Sequence, residues 1–203
     1  MHKSRNHASK GLQKVKTTGS IRIIAGKHRG RKLPVLMSDG LRPTTDRVKE
    51  TVFNWLMPFL NQSICLDCYA GAGSLGFEAL SRGAKKVALI ELDKNAAKQL
   101  QANKTLLKAN NVDIHHTNVL SFLASPSTEK FDVVFIDPPF RKGLAEQTIN
   151  LLENSWLAHD ALIYLEMEND NDQLSIPDNW SLLKEKSAGQ VSYRLYQKTD
   201  LTD

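Results

Sequence analysis

Asp137-Pro138-Pro139-Phe140 follows directly on the apolar run Phe131-Asp132-Val133-Val134-Phe135-Ile136. A short, nearly continuous apolar run is the pattern of a buried parallel strand, and open α/β sheets bind ligands at the carboxyl ends of such strands. The two prolines lack N–H groups and push the residue before each of them toward extended backbone, so Asp137 and Phe140 belong to a stiff loop with free carbonyls. An acid, free carbonyls and an aromatic face suit a planar group bearing an amino substituent, such as a nucleobase. Two acceptors can take the NH2 hydrogens while the ring is stacked upon.

A second constellation lies upstream. Asp67-Cys68-Tyr69-Ala70-Gly71-Ala72-Gly73-Ser74-Leu75-Gly76 holds the pattern G-x-G-x-x-G at Gly71, Gly73 and Gly76, after a strand and before a helix. Glycines there permit a sharp turn and close approach to a ligand. Glu91, twenty residues past Gly71, ends the next strand, where a carboxylate can accept both ribose hydroxyl hydrogens. The nucleoside so held could belong to a dinucleotide or to S-adenosylmethionine. Asp67 argues for the second, because a carboxylate beside the loop repels a pyrophosphate and attracts a sulfonium and an ammonium. Asn118, directly after the third strand, is a candidate for the adenine amino group, and equally a turn residue. The predicted cofactor residues are therefore Asp67, Tyr69, Ala70, Gly71, Gly73, Glu91 and Asn118.

The elements that must position these groups alternate from residue 63 onward. Strands are predicted at 63–69, 86–91, 112–117, 131–137 and 161–166, with helices at 74–82, 94–109, 120–124 and 144–153. That alternation is the signature of a parallel sheet flanked by helices. A hairpin is predicted over 181–197, turning at Ala188-Gly189. Upstream, Ile21–Ala25 and Leu33–Leu36 read as strands flanking a basic tip, and Val48, Val52, Trp55, Leu56 and Phe59 mark an amphipathic helix that ends near Pro58.

The net charge of +5 conceals an asymmetry. Residues 1–50 carry 13 Lys and Arg against 3 acids, whereas residues 51–203 carry 14 against 19. A basic arm on a slightly acidic body is the footprint of contact with a polyanion, nucleic acid above all. Arg29, Arg31, Lys32, Arg42 and Arg47 are the candidate phosphate contacts. The organisation expected is a basic arm over 1–19, a nucleic-acid-binding hairpin and helix over 20–60, and a catalytic domain over 61–203. No apolar stretch has the length of a membrane span, and the opening residues lack the apolar core of a secretory signal, so a cytoplasmic protein is expected. Cys65 and Cys68 are spaced C-x-x-C, but without a second pair they read as buried small hydrophobes. His115 and His116, adjacent on a strand, point to opposite faces and cannot readily share a metal; no metal site is expected. Trp156 and Trp180 read as packing residues.

Asp67-x-x-Ala70-Gly71-x-Gly73, Glu91 and Asp137-Pro138-Pro139-Phe140 together resemble a class I S-adenosylmethionine-dependent methyltransferase acting on an exocyclic amine. Arg42-Pro43-Thr44-Thr45-Asp46 with the helix after it to Leu56, Arg29-Gly30-Arg31-Lys32-Leu33 and Gly189-Gln190-Val191 narrow this: the chain resembles the bacterial 16S rRNA guanine-N2 methyltransferase family over roughly residues 20–198. The resemblance implies a Rossmann-like seven-stranded sheet with an antiparallel last strand, preceded by a small β-hairpin and helix that help to hold RNA. It also implies 16S rRNA or a small-subunit assembly particle as partner, and guanine 966 as target. Asp137 and Pro138 would accept the amine hydrogens, Phe140 would stack, and Pro139 would stiffen the loop. Two other readings remain open at this level: an adenine-N6 DNA methyltransferase, disfavoured by Asp137 and by the lack of a long recognition insertion, and a non-catalytic RNA-binding assembly factor, disfavoured by intact Gly71, Gly73, Glu91 and Asp137. A nicotinamide dehydrogenase is disfavoured by Asp67.

Overall fold

The computed structural model describes residues 19–36, 46–140, 142–168 and 174–199. The chain opens with a two-stranded antiparallel hairpin, β1 (Gly19–Arg22) and β2 (Lys32–Val35), and a helix, α1 (Asp46–Leu56). An alternating series follows: β3 (Ile64–Asp67), α2 (Ser74–Ser81), β4 (Lys86–Glu91), α3 (Lys94–Leu107), β5 (Val112–His116), α4 (Val119–Leu123), β6 (Phe131–Ile136), α5 (Leu144–Glu153) and β7 (Leu157–Glu168). The hairpin β8 (Trp180–Ala188) and β9 (Val191–Lys198) completes it. Strands β3 to β9 form one seven-stranded sheet in the order β5-β4-β3-β6-β7-β9-β8. β9 runs antiparallel to both of its neighbours and every other pairing is parallel, so the sheet matches the one the resemblance implied.

Period-two alternation divides the core between two faces. Cys65, Val133 and Phe135 enter one apolar cluster with Val52, Phe53, Leu56, Leu33 and Val35 from the N-terminal elements. Leu66, Val134 and Ile136 enter the other, with Ile149 and Leu152 of α5. Both faces are covered, which is why the central strands read as continuous apolar runs. Trp156 and Trp180 are packed in the second cluster and donate their indole N–H groups to Leu123 O (3.1 Å) and Glu153 Oε1 (2.8 Å). Cys65 and Cys68 are buried free thiols, one in each cluster, and burial pushes Cys65 up to about 12, so it stays a thiol. Among the described residues no helix is long and apolar enough to cross a membrane.

Several boundaries differ from expectation. The predicted strand Ile21–Ala25 ends at Arg22, because the Ile24 and Ala25 N–H groups donate to the Glu78 carboxylate (2.8 and 3.0 Å) rather than into a ladder. α3 stops at Leu107, where Lys108 turns left-handed (φ 53°) and sends its N–H back to the Lys104 and Thr105 carbonyls. β7 begins at Leu157, before the polar His159-Asp160 that made the apolar run start at residue 161. A register irregularity between Phe131 and Val133 of β6 accommodates that extra length. Phe59, placed by spacing on the apolar face of α1, sits in a 3-10 turn with Pro58 and is exposed, whereas Phe53 is fully buried against Phe135 (ring centroids 5.8 Å).

Candidate active site

The strand order reverses between β3 and β6, whose carboxyl ends carry the glycine loop and the Asp-Pro-Pro-Phe turn. Crevices of this kind, at a topological switch point, are where open α/β sheets bind ligands. The glycine loop is clamped from both sides: Cys68 N–H donates to Phe135 O of β6 (3.0 Å) and Ala70 N–H to Ile90 O of β4 (2.9 Å). Gly73 caps α2 in a left-handed conformation (φ 79°), and a Cβ there would stand 2.6 Å from the Phe77 ring. A Cβ on Gly76 would meet Leu89 Cδ2 at 2.2 Å. Gly76 therefore lets α2 lie close against the sheet, Gly73 leaves room for Phe77 and for Leu100 of α3, and Gly71 lines the cleft beside the loop.

Glu91 is partly buried and braces the loop: Gly71 N–H donates to Oε2 (2.8 Å) and Asp93 N–H to Oε1 (2.7 Å). A carboxylate has about four acceptor sites, so ribose hydroxyls can still be taken. Asp67 is buried and accepts the Gly76 N–H (3.1 Å); burial raises its carboxyl to about 7, against the pull of the Gly76 and Tyr69 N–H groups. Burial also raises Glu91. Tyr69 turns its hydroxyl to Thr148 Oγ1 on α5 (2.7 Å), tying the loop to that helix. Asn118 caps α4 by accepting the Ser121 N–H on Oδ1 (3.2 Å), the turn role its residue type allowed. A small cleft beside the loop is lined by Val35, Leu36, Gly71, Ala72, Ala96, Gln99 and Leu100, so the end of β2 helps to wall the cofactor side.

On the β6 side, Asp137 is partly buried, Pro138 is buried, and Pro139 and Phe140 are exposed. The Phe140 ring, 43% exposed, is available as a stacking surface. Asp137 is raised well above the ordinary carboxylate range, by burial first and then by Glu166 and Asp67. Glu166, on β7, went unnoticed in the sequence. Among the described residues none of Asp67, Glu91, Asp137 and Glu166 forms an ion pair. An acid-lined crevice whose carboxylates meet no cation among the described residues fits a cationic sulfonium and ammonium and would repel a pyrophosphate.

The basic tip lies apart from this crevice. Arg29, Arg31 and Lys32 are exposed, in and just after a turn closed by Arg29 N–H to Gly26 O (3.1 Å) and Arg31 N–H to His28 O (3.1 Å). The turn is docked on the end of α2: Lys27 N–H donates to Ser81 O (2.7 Å) and His28 N–H to Ser81 Oγ (2.9 Å). Gly26 (φ 79°) approaches so closely that a Cβ would overlap Ser81 O at 1.8 Å. Arg47 is exposed on the first turn of α1; Arg42 lies outside the described residues. Every residue of α2 is buried, and its one charged residue, Glu78, holds Ile24 and Ala25 by their N–H groups and Arg82 by its Nε (2.7 Å). A lone acid in an otherwise uncharged helix was the available signal for that anchor.

The family model described as "Conserved hypothetical protein 95" matches residues 21–197. Over 192 residues the chain is 58% identical to the Haemophilus influenzae protein named ribosomal RNA small subunit methyltransferase D, covering 93% of this chain and 99% of that one. The solved structure of the Escherichia coli protein yhhF matches with a TM-score of 0.84 at 54% identity, over 90% of this chain and 100% of that one. Protein SMU.776, solved in complex with SAH, matches at 14% identity with a TM-score of 0.63, over 82% of this chain and 53% of that one, a likeness that carries the fold alone. With a family match over most of its length and a relative this similar, the chain belongs to the Conserved hypothetical protein 95 family, the group that includes ribosomal RNA small subunit methyltransferase D.

Proposed function

We propose that this protein transfers a methyl group from S-adenosylmethionine to the exocyclic N2 of a guanine in 16S rRNA, guanine 966 by family resemblance. The observation that carries the reading is the convergence, at one switch point, of an acid-lined glycine loop with Asp137, Pro138 and the exposed Phe140 ring. The names of its relatives support ribosomal RNA as the substrate class, and the exposed Arg29, Arg31, Lys32 and Arg47 supply a cationic surface for it.

S-adenosylmethionine, when bound, supplies an electrophilic methyl on a sulfonium. Glu91 and the Gly71 backbone hold its nucleoside, and Asp67 favours its positive charge through the loop it braces. A guanine amine is a poor nucleophile because its lone pair is delocalised into the ring. The Asp137 carboxylate and the Pro138 carbonyl accept its two hydrogens and so localise the pair on N2, while Phe140 stacks on the base. The bound cofactor would give its methyl to N2 and leave as the neutral thioether, and Asp137 would take the proton that N2 releases. Burial and the charge of Glu166 raise the proton affinity of Asp137, which strengthens it as the acceptor of that proton. The target must leave its stack to reach such a pocket, which favours an unpaired nucleotide.

Incubating the protein and labelled cofactor with small-subunit RNA or particles from cells lacking the enzyme should yield N2-methylguanosine on nucleoside analysis. N6-methyladenosine, or no transfer, would overturn the reading. Asp137→Ala should keep cofactor affinity and lose roughly 10²- to 10⁴-fold in single-turnover rate; a near-normal rate would remove Asp137 from the mechanism.

A further inference from the structure

Glu166 has no place in the mechanism so far, yet its position ties it to the reacting amine. Ile136 of β6 pairs with Leu165 of β7, so Asp137 and Glu166 occupy the next step on two adjacent parallel strands. Both lie on the face that carries Phe135 and Tyr164, whose rings meet edge to face at 6.2 Å. The Tyr164 hydroxyl donates to Glu166 Oε2 (2.9 Å). Among the described residues Glu166 accepts no other hydrogen bond and meets no cation, so Oε1 keeps its accepting capacity. Tyr164 is itself fully buried, which fixes that donor and with it the orientation of the carboxylate.

Resting on the guanine reading above, we infer that Glu166 is a specificity-determining residue that accepts the guanine N1–H while Asp137 and Pro138 accept from N2. The edge of guanine offers N1–H and N2–H donors side by side, and two carboxylates at the ends of neighbouring strands are the matching acceptors. Adenine bears a lone pair at N1, which would confront the Glu166 oxygen and leave a partly buried carboxylate without its donor. A site whose buried polar groups expect a donor rejects the analogue lacking it far more strongly than an apolar pocket can. The same hydrogen bond draws N1–H toward the carboxylate and pushes electron density through C2 onto the attacking N2. Burial raises the proton affinity of both carboxyls, and at Asp137 the charge of Glu166 raises it further.

The test compares RNA carrying guanine with RNA carrying 2-aminopurine at the mapped target position, since 2-aminopurine keeps the N2 amine but has a lone pair at N1. The wild type should methylate guanine at N2 and strongly disfavour 2-aminopurine. Glu166→Gln, which can donate as well as accept, should lower the single-turnover rate on guanine about 10- to 100-fold and narrow the preference by a similar factor, with unchanged cofactor affinity by calorimetry. Tyr164→Phe, which removes the orienting donor but leaves the carboxylate, should shift the preference in the same direction and less. N2-methylguanosine made by Glu166→Gln at unaltered rate and preference overturns the assignment while leaving the guanine reading intact. N6-methyladenosine from the wild type overturns both.

Discussion

Removing the Glu78 carboxylate should take away a large part of this protein's stability, although Glu78 touches neither strand end of the crevice. Its side chain is fully buried in α2 and accepts from Ile24 N, Ala25 N and Arg82 Nε, with Lys49 Nζ 3.8 Å away. Lys49 is 1% exposed; burial lowers its proton affinity and Glu78 is the foremost group opposing that. In Glu78→Ala two backbone donors lose their acceptor, at about 1–3 kcal/mol each. Lys49 also becomes a buried charge left with the solvent-exposed Asp46 carboxylate (3.8 Å) and the Arg22 carbonyl, and breaking a buried pair costs about 3–5 kcal/mol. All of these share one carboxylate, so they do not add; about 3–5 kcal/mol in total is expected. Against a typical total of about 5–15 kcal/mol, that is a large fraction.

Urea unfolding of Glu78→Ala, Lys49→Met and the double variant forms a cycle that isolates the pair. The double variant should recover part of the loss, because it no longer buries an uncompensated ammonium, with a coupling of about 1.5 kcal/mol or more. Glu78→Ala within about 1 kcal/mol of the wild type, or no coupling to Lys49, would refute the account of Glu78 as the anchor of the N-terminal segment. Native-state trypsin cleavage after Lys27, Arg29 or Arg31 gives a second reading, since Ile24 and Ala25 hold the turn that carries these sites. It should accelerate in Glu78→Gln.

Asp67 makes stability depend on pH with an unusual sign. Its carboxyl holds a proton to about pH 7 in the folded chain against 3.8 as the ordinary value, so the folded state binds the extra proton between the two and stability falls as pH rises through that window. Asp67→Asn removes that dependence, and its stability relative to wild type should improve by roughly 2–3 kcal/mol between about pH 5 and pH 8; parallel profiles by urea unfolding would show that Asp67 is ionised throughout. Reversing charge at Arg29 and Arg31 should weaken RNA binding and flatten its dependence on salt, leaving cofactor affinity unchanged. Unaltered binding in a filter assay would return the tip to a solvated surface.

Legibility followed range. The alternation from β3 to β7 was plain because each element declares itself through its own periodicity, and Asp137, Gly71 and Glu91 could be named as candidates because strand ends are where such a sheet binds ligands. What escaped depends on partners remote in the chain. Glu78 was one acid in a short helix until the fold set it against Ile24, 54 positions away. Glu166 was one polar residue in the alternation of β7, and its proximity to Asp137 is a product of the β6–β7 register. Lys108 ends α3 in a left-handed turn without the glycine that usually signals one, so the helix was read two residues too far. Asn118 carried two readings in the sequence, and only its bond to Ser121 N–H displays the cap.

The crevice is costly to the folded protein in a way that the proposed function explains. Asp67, Glu91, Asp137 and Glu166 are all held above their ordinary proton affinities, with burial the largest cause for each. Asp67 and Glu91 offset part of that penalty by accepting N–H groups of the glycine loop, whereas Asp137 and Glu166 accept no backbone N–H among the described residues, so a purely structural crevice has no use for those two. A cationic methyl donor on one side and a base edge made of N–H donors on the other would supply what each carboxylate lacks. Both ligands together therefore favour the ionised forms over the protonated ones more than the empty crevice does. In that account the unfavourable electrostatics of the empty crevice are the recognition itself, since a pyrophosphate or an acceptor-bearing base edge would increase the repulsion that the right pair of ligands relieves.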